Sequence, residues 1–198
     1  MKIEISSEKH LHYAEEIKQE MADSAKVRGT GIAQRTVEFL CQKMLEGSAV
    51  LAIEEDGRWA GFCYLSAWSD GEFVANSGMI VSPNFRKRGV AKMMKAKVFE
   101  LSRIKFPEAK IFSLTTGLAV MKINSDLGYQ PVTYSEITKD ETFWEGCKSC
   151  VNYDVLKSKN RENCLCTAML YSPSKEKTLF NSNYTKNTKD EEKCSVGI

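Results

Sequence analysis

The 198-residue chain has no apolar run approaching the length of a bilayer span, and its start, Met1-Lys-Ile-Glu-Ile-Ser, lacks the apolar centre of a signal peptide. No membrane association is expected. A surplus of one charge is also missing, since 28 Lys and Arg stand against 26 Asp and Glu and the cations are interspersed rather than gathered in a stripe. The resulting net charge of +2 gives no electrostatic footprint for nucleic acid. No internal repeat is present. Seven cysteines without an export signal favour a reducing cytoplasm, with free thiols or metal ligands in place of a disulfide framework. Length and composition suit one ordinary globular domain with a real core.

What is present reads as alternating strands and helices. Lys2-Ile-Glu-Ile-Ser6 alternates like an edge strand, and Ser6-Ser7 offers an N-cap to a helix over residues 8–26. Its apolar side is Leu11, Ala14, Ile17, Met21 and Ala25, with His10 and His12 on the surface. A break at Val27-Arg28-Gly-Thr-Gly31 precedes a second helical pattern from Arg35 to Gly47. Residues 48–54, 59–68 and 73–81 read as three antiparallel strands, joined by turns at Glu55-Asp-Gly57 and Ser69-Asp-Gly71. A long helix, a buried strand over 110–116 and a short helix over 118–127 ending at Gly128 follow.

The order is arranged around the stretch from Asn76 to Ala91. Met79, Ile80 and Val81 form an apolar run stopped by Pro83, which fixes φ and lacks an N–H. From Val90 the spacing turns helical, with Val90, Met93, Met94, the Lys97 stem, Val98 and Leu101 on one face. The turn between them therefore sits at a helix N-terminus, where unpaired N–H groups and a positive dipole favour phosphate. Gly89 and Ala91 let an anion approach the backbone, and Arg86, Lys87 and Arg88 add charge. Gly78, inside the preceding strand, reads either as a packing glycine or as the mark of a bulge or close ligand approach.

Arg86-x-x-Gly89-x-Ala91 resembles the Arg/Gln-x-x-Gly-x-Gly/Ala signature of the GNAT acyl-CoA N-acyltransferases, and Gly128-Tyr129 resembles the Gly-Phe/Tyr that ends a later helix of that family. The resemblance covers residues 1 to about 137. It implies an α/β GNAT fold, a mixed central sheet with flanking helices, and acetyl-CoA or another acyl-CoA as co-substrate. In that family the fourth strand splays from the next, so the backbone of Met79, Ile80 and Val81 is expected to meet the pantetheine arm, while Arg86, Lys87, Arg88, Gly89, Val90 and Ala91 hold phosphate. The segment between the first two helices borders the acceptor in the family, which makes Arg28 and Arg35 candidates for gripping a carboxylate. Read without that context, both are exposed helix-end arginines.

The chain also departs from the family pattern. Where relatives often place a Tyr that protonates the departing CoA thiolate, four residues before the Gly, this sequence has Asn124, and Thr115-Thr-Gly117 stands where an Asn is usual. An amide does not titrate near neutral pH, so Asn124 is expected to contribute a hydrogen bond at the CoA site and no acid. Acyl transfer to an amine needs the amine deprotonated, the oxyanion stabilised and the reactants held together. Glu72 near the start of the fourth strand, with Tyr134 and Glu136 on the strand after Gly-Tyr, are the catalytic candidates. Each also reads as a solvated strand or turn residue.

Residues 138–173 extend the 1–137 core and bring Cys147-Lys-Ser-Cys150 and Cys164-Leu-Cys166. Four thiolates suit a structural zinc, and alternate residues on a strand would turn Cys164 and Cys166 the same way. Equally, the second pair reads as small apolar residues of a buried strand and the first as incidental or redox-active thiols. Residues 174–198 are polar and read as a disordered tail.

Lys26-Val-Arg-Gly-Thr-Gly31, Phe106-Pro-Glu-Ala-Lys-Ile-Phe112 and Cys164-Leu-Cys-Thr-Ala-Met169 are similar to a bacterial GNAT subgroup associated with arginine biosynthesis. That similarity implies an N-acyltransferase moving an acetyl or succinyl group to the amine of a small acceptor such as glutamate. A cytoplasmic location, from the free thiols, and a homodimer are the accompanying expectations. The alternatives are a transferase acting on protein N-termini or lysines, which predicts an open acidic or neutral groove, and a non-catalytic acyl-CoA-binding module.

Overall fold

The computed structural model describes residues 1–28 and 33–173. Strand β1 (Lys2–Ile5) leads through a tight 3-10 turn into helix α1 (Ala14–Arg28), and α2 (Val37–Leu45) follows. The 3-10 turn, Glu8–Tyr13, starts with a reciprocal cap in which the His10 ring accepts the Ser7 N–H at 3.0 Å. His10 is therefore buried, at 1% exposure, and is not the surface residue expected. Three antiparallel strands come next, β2 (Ala49–Ile53), β3 (Trp59–Trp68) and β4 (Phe73–Val81), where strand residues and glycine-containing turns alternate as read. Then come α3 (Val90–Lys105), β5 (Lys110–Thr115), α4 (Leu118–Asp126) and β6 (Gln130–Val132). Two short helices, α5 (Glu141–Glu145) and α6 (Tyr153–Ser158), precede β7 (Thr167–Tyr171).

The sheet runs β1-β2-β3-β4-β5-β7-β6, and its parallel pair is β4 with β5, as the α3 crossover between them requires. The sheet is mixed, with helices on both faces, so β3 is buried along most of its length instead of alternating with solvent. One core packs Val74, Met94, Val98 and Ile111 beneath α3, and another packs Ile17, Leu40, Met44 and Phe62 beneath α1 and α2. A third, around Phe112, Trp144 and Leu156, covers the C-terminal strands. Each fully buried Leu or Ile side chain contributes about 1.5–3 kcal/mol.

Three local expectations change. Tyr134 and Glu136 lie in a 3-10 turn after β6, because β6 ends at Val132. Cys164 and Cys166 precede β7, which begins at Thr167, so strand alternation does not orient them. On α3 the face turned to the sheet is Val90, Met94, Lys95, Val98 and Leu101, while Met93 is 42% exposed. Val90, Met94, Val98 and Leu101 hold the buried face as read, Met93 turns out of it, and a lysine enters the core.

Pairing between β4 and β5 stops early. It spans only Phe73↔Lys110, Val74↔Ile111 and Ala75↔Phe112, after which the strands part. On its other edge β4 stays paired with β3 but slips register opposite Cys63, where Gly78 adopts φ +64°. A Cβ there would meet the Tyr64 ring at 2.4 Å, so this bulge requires glycine.

Candidate active site

The parting of β4 from β5 opens a cleft of about 840 Å³ that passes between the α3 side of the sheet and the α1 and α2 side. The part of β4 from Asn76 to Met79 forms one wall and the end of β5 with Thr116 and Gly117 forms the other. Arg35, Phe39 and Tyr64 line it on the α1 and α2 side, Lys95 and Val98 on the α3 side. Phe143, Cys147 and Cys166 close it from the C-terminal segment, which is tied to the start of α2 by the Gln34 N–H donating to the Ser149 hydroxyl at 3.1 Å.

Helix α3 follows β4 after the turn Pro83–Phe85, and Ile80, Val81 and the residues from Arg86 to Ala91 are not among those that line the cleft. The N-cap of the helix is Gly89 at φ +78°, no side chain caps the first turn, and that turn holds no acidic residue. Gly89 has open space around it, so its left-handed backbone, and not crowding, is what calls for glycine. The first-turn N–H groups are left for a ligand. Two of the three basic side chains are tethered nearby: Arg86 donates to Glu20 and Ser24, each at 2.8 Å, and Arg88 pairs with Glu54 at 3.0 Å. Lys87 is exposed, and backbone amides make up the rest of the cradle. Val90 is buried and Ala91 half-buried behind it. Of the strand positions, Met79 and Val81 pack toward the α3 core and Ile80 toward the α1 core.

Arg35 is fixed where the cleft opens toward α1 and α2. Its Nε donates to the Tyr64 hydroxyl at 2.7 Å, Nη1 donates to the Gln34 carbonyl at 2.9 Å, and the guanidinium lies 5.4 Å from the Phe39 ring centre. Donors remain for a ligand. Tyr64 is buried, which pushes its hydroxyl pKa up despite the neighbouring Arg35. Arg28 ends α1, and its side chain falls outside the described residues, as does the 174–198 tail.

Lys95 was not anticipated from the sequence. It is 2% exposed, its ammonium sits 5.2 Å from the Tyr129 ring centre, and burial pulls its pKa down to about 8. Beside it the Tyr129 hydroxyl donates to Asn76, whose amide donates to Ser102, whose hydroxyl donates to the Val98 carbonyl. These groups satisfy one another. A signal was available: residue 95 falls between Met94 and Val98 on the stripe that faces the sheet, where a charged residue is out of place.

The other expected groups do not gather in the cleft. Glu72 is exposed and paired with Lys110 at 3.2 Å, and with Glu136 it lines a separate cavity of about 890 Å³ that shares no residue with the cleft. Glu136 accepts the Thr133 N–H at 3.2 Å and so caps its own turn. Tyr134 is buried, donates to the Cys166 carbonyl at 2.8 Å, and has its pKa raised far by burial. Asn124 is fully buried; its side-chain amide points to the Met169 sulfur at 3.5 Å and its backbone carbonyl accepts the Tyr129 N–H, so it pins the end of α4 instead of facing the cleft.

The cysteines also differ from the zinc expectation. Among the described residues no three His, Cys, Asp or Glu side chains are grouped to hold a metal. Cys164 donates to the Asn152 carbonyl and Cys150 accepts the Asn152 N–H, so this pair is engaged with backbone. Burial, with the neighbouring thiols adding to it, pushes Cys147 up to about 11 and Cys166 up to about 12. Cys147, Cys150 and Cys166 instead form soft apolar lining of the cleft.

Residues 33–118 match the family model described as Acetyltransferase (GNAT) family. No curated protein matches the sequence. Among solved structures, Rv2747 from Mycobacterium tuberculosis, in complex with CoA and NLQ, is similar with a TM-score of 0.61 and 16% identity, over 87% of this chain and 99% of its own. N-acetylglutamate synthase from Neisseria gonorrhoeae, complexed with CoA and N-acetyl-glutamate, gives 0.60 and 14% over 86% of this chain and 34% of its own, so the chain spans about a third of that enzyme. A GNAT superfamily phosphinothricin acetyltransferase from Sinorhizobium meliloti, in complex with AcCoA, gives 0.58 and 12% over 86% and 87%. These likenesses are of fold.

Proposed function

We propose that the chain, whose residues 33–118 match the GNAT family model, is an acyl-CoA-dependent N-acyltransferase that moves an acetyl or succinyl group to the amine of a small anionic acceptor, glutamate or a similar amino acid. Arg35 carries this reading. It is a fixed planar cation in the cleft, oriented by Tyr64 and Gln34, with donors left for a carboxylate. The likeness to N-acetylglutamate synthase agrees with an acceptor of this class.

In this reading the acyl-CoA phosphates rest on the free N–H groups of α3 behind Gly89, and the pantetheine arm lies along the unpaired edge of β4. The acceptor enters from the Arg35 side of the sheet, so its amine meets the thioester in the gap between the strands. Holding both reactants in one cleft supplies much of the rate. No helix among the described residues is long and apolar enough to cross a membrane. A role in amino-acid biosynthesis goes with a glutamate acceptor.

The test is release of free thiol from acetyl-CoA and succinyl-CoA against a panel of amino acids. Release that requires an anionic amino acid supports the proposal, and Arg35→Leu should then raise KM for the acceptor. Equal release with neutral amino acids, or release only with protein amines, removes the Arg35 reading. CoA binding with no release on any amine would leave a non-catalytic module.

A further inference from the structure

Resting on the acyltransferase reading, we propose that Lys95 is the acid that protonates the departing CoA thiolate. The geometry begins with its place. Lys95 reaches the cleft from α3, where Asn76 and Ser113 are the first residues past the last β4–β5 pair, Ala75↔Phe112. A lysine is almost never fully buried without a partner. Here no Asp or Glu among the described residues pairs with it, and the polar neighbours Asn76, Tyr129 and Ser102 are spent on one another. The groups facing it are Cys63 on β3 and Tyr129 after α4. Burial pushes the Cys63 thiol up to about 12 and raises the Tyr129 hydroxyl, so both are neutral and neither balances the ammonium. A buried cation without an anion suits an anion that forms during reaction.

The chemistry of the cleft selects the same group. When an amine attacks a thioester, the C–N bond forms, the C–S bond breaks, and the electron pair leaves on sulfur. The Lys95 ammonium gives its proton to that sulfur, yielding the CoA thiol and a neutral lysine amine. The proton lost by the attacking nitrogen returns to Lys95 through solvent, which closes the cycle. An acid is most effective when its pKa lies near the working pH, and Lys95 stands at about 8 while Tyr64, Cys147 and Cys166 in the same cleft are all raised by burial. Asn124, at the position where an acid was sought from the sequence, faces away.

The experiment compares wild type, Lys95→Met and Lys95→Arg for thiol release, CoA binding by calorimetry, and the pH profile of kcat. Wild-type kcat should fall as pH rises through the lysine pKa. Lys95→Met should lose roughly 10²-fold or more in kcat, keep CoA affinity within a few-fold, and lack the alkaline limb. Lys95→Arg keeps the charge but holds its proton, and should stay impaired. An S-acetyl donor with an acidic aryl thiol needs no protonation on leaving and should narrow the gap between wild type and Lys95→Met. Full activity in Lys95→Met, or full rescue by Lys95→Arg, overturns the assignment while the acyltransferase reading stands. A wild-type profile without an alkaline limb overturns it with no variant needed. If the wild type binds CoA and releases no thiol with any amine, both readings fall.

Discussion

Two cations reach one cleft from opposite faces of the sheet, and they keep their charge by different means. Arg35 is half-buried, its guanidinium hydrogen-bonded to Tyr64 and Gln34 and resting against the Phe39 ring. Lys95 is buried over Tyr129 with no acidic partner among the described residues. Guanidinium is weakly hydrated and stays charged, so Arg35 offers a permanent, oriented fork suited to binding. Ammonium is strongly hydrated, so burial makes the charge of Lys95 conditional on pH and suits it to proton transfer. In the proposed reading one face of the cleft serves recognition and the other chemistry.

The comparison breaks most completely if the gap between the faces is removed. Gly78→Val puts a Cβ at 2.4 Å from the Tyr64 ring on a backbone at φ +64°. Denaturant unfolding should show a loss above about 3 kcal/mol, and the surviving folded fraction should bind acyl-CoA poorly. An unchanged midpoint would mean that the bulge relaxes freely.

Lys95→Met comes next and has the opposite sign. A folded-state pKa of about 8 against an ordinary 10.5 means that the unfolded chain binds more protons between those values. At pH 7 the buried charge therefore costs stability, on the order of 3 kcal/mol, and Lys95→Met should unfold at higher denaturant. The difference between variant and wild type should shrink as pH rises from about 8 to 10.5. A pH-independent difference would show that Lys95 is solvated. Both proteins should lose stability above pH 9, because Cys63 and Cys166 stay protonated to about 12 when folded and ionise near 9.0 when unfolded.

Arg35→Leu should change stability little, by under about 1 kcal/mol, because the side chain is partly exposed. Its effect should fall on acceptor KM, raised roughly 10- to 100-fold at unchanged CoA affinity, the loss of about 1.5–3 kcal/mol of charged hydrogen bonding. The smallest expected effect is Tyr64→Phe, which removes the acceptor of the 2.7 Å bond from Arg35. A few-fold rise in acceptor KM and about 0.5–1.5 kcal/mol of stability are expected, with the alkaline limb of kcat unmoved.

Much of the recognition face was legible before folding. The bounds of β3 and β4, the turns at Gly57 and Gly71, the stop at Pro83 and the start of α3 behind Gly89 all follow from runs of a few residues. Arg35 was a candidate only through the family resemblance, which sets the acceptor beside the segment between the first two helices; read alone it was an exposed helix-end arginine. The chemical face was not legible. Lys95 was passed over because the apolar spacing admitted Met93 and the Lys97 stem and did not single out residue 95. Glu72, Tyr134 and Glu136 were chosen for their residue types, yet turn position and burial send each of them elsewhere. The short helices α5 and α6 left no amphipathic signal, being five and six residues long.

The sequence by itself determined the order of strands and helices and the glycine-capped turn before α3, because φ limits, chain breaks and hydrophobic period are properties of neighbouring residues. Where β4 leaves β5, which residues of α3 turn to the sheet, and which thiols wall the cleft were decided only in the tertiary structure. Those depend on pairing that ends at Ala75↔Phe112 and on side chains brought together from β3, α3 and the turn after α4. The proton affinity of Lys95 belongs to this second class, since desolvation is set by surroundings that the chain creates only when it folds.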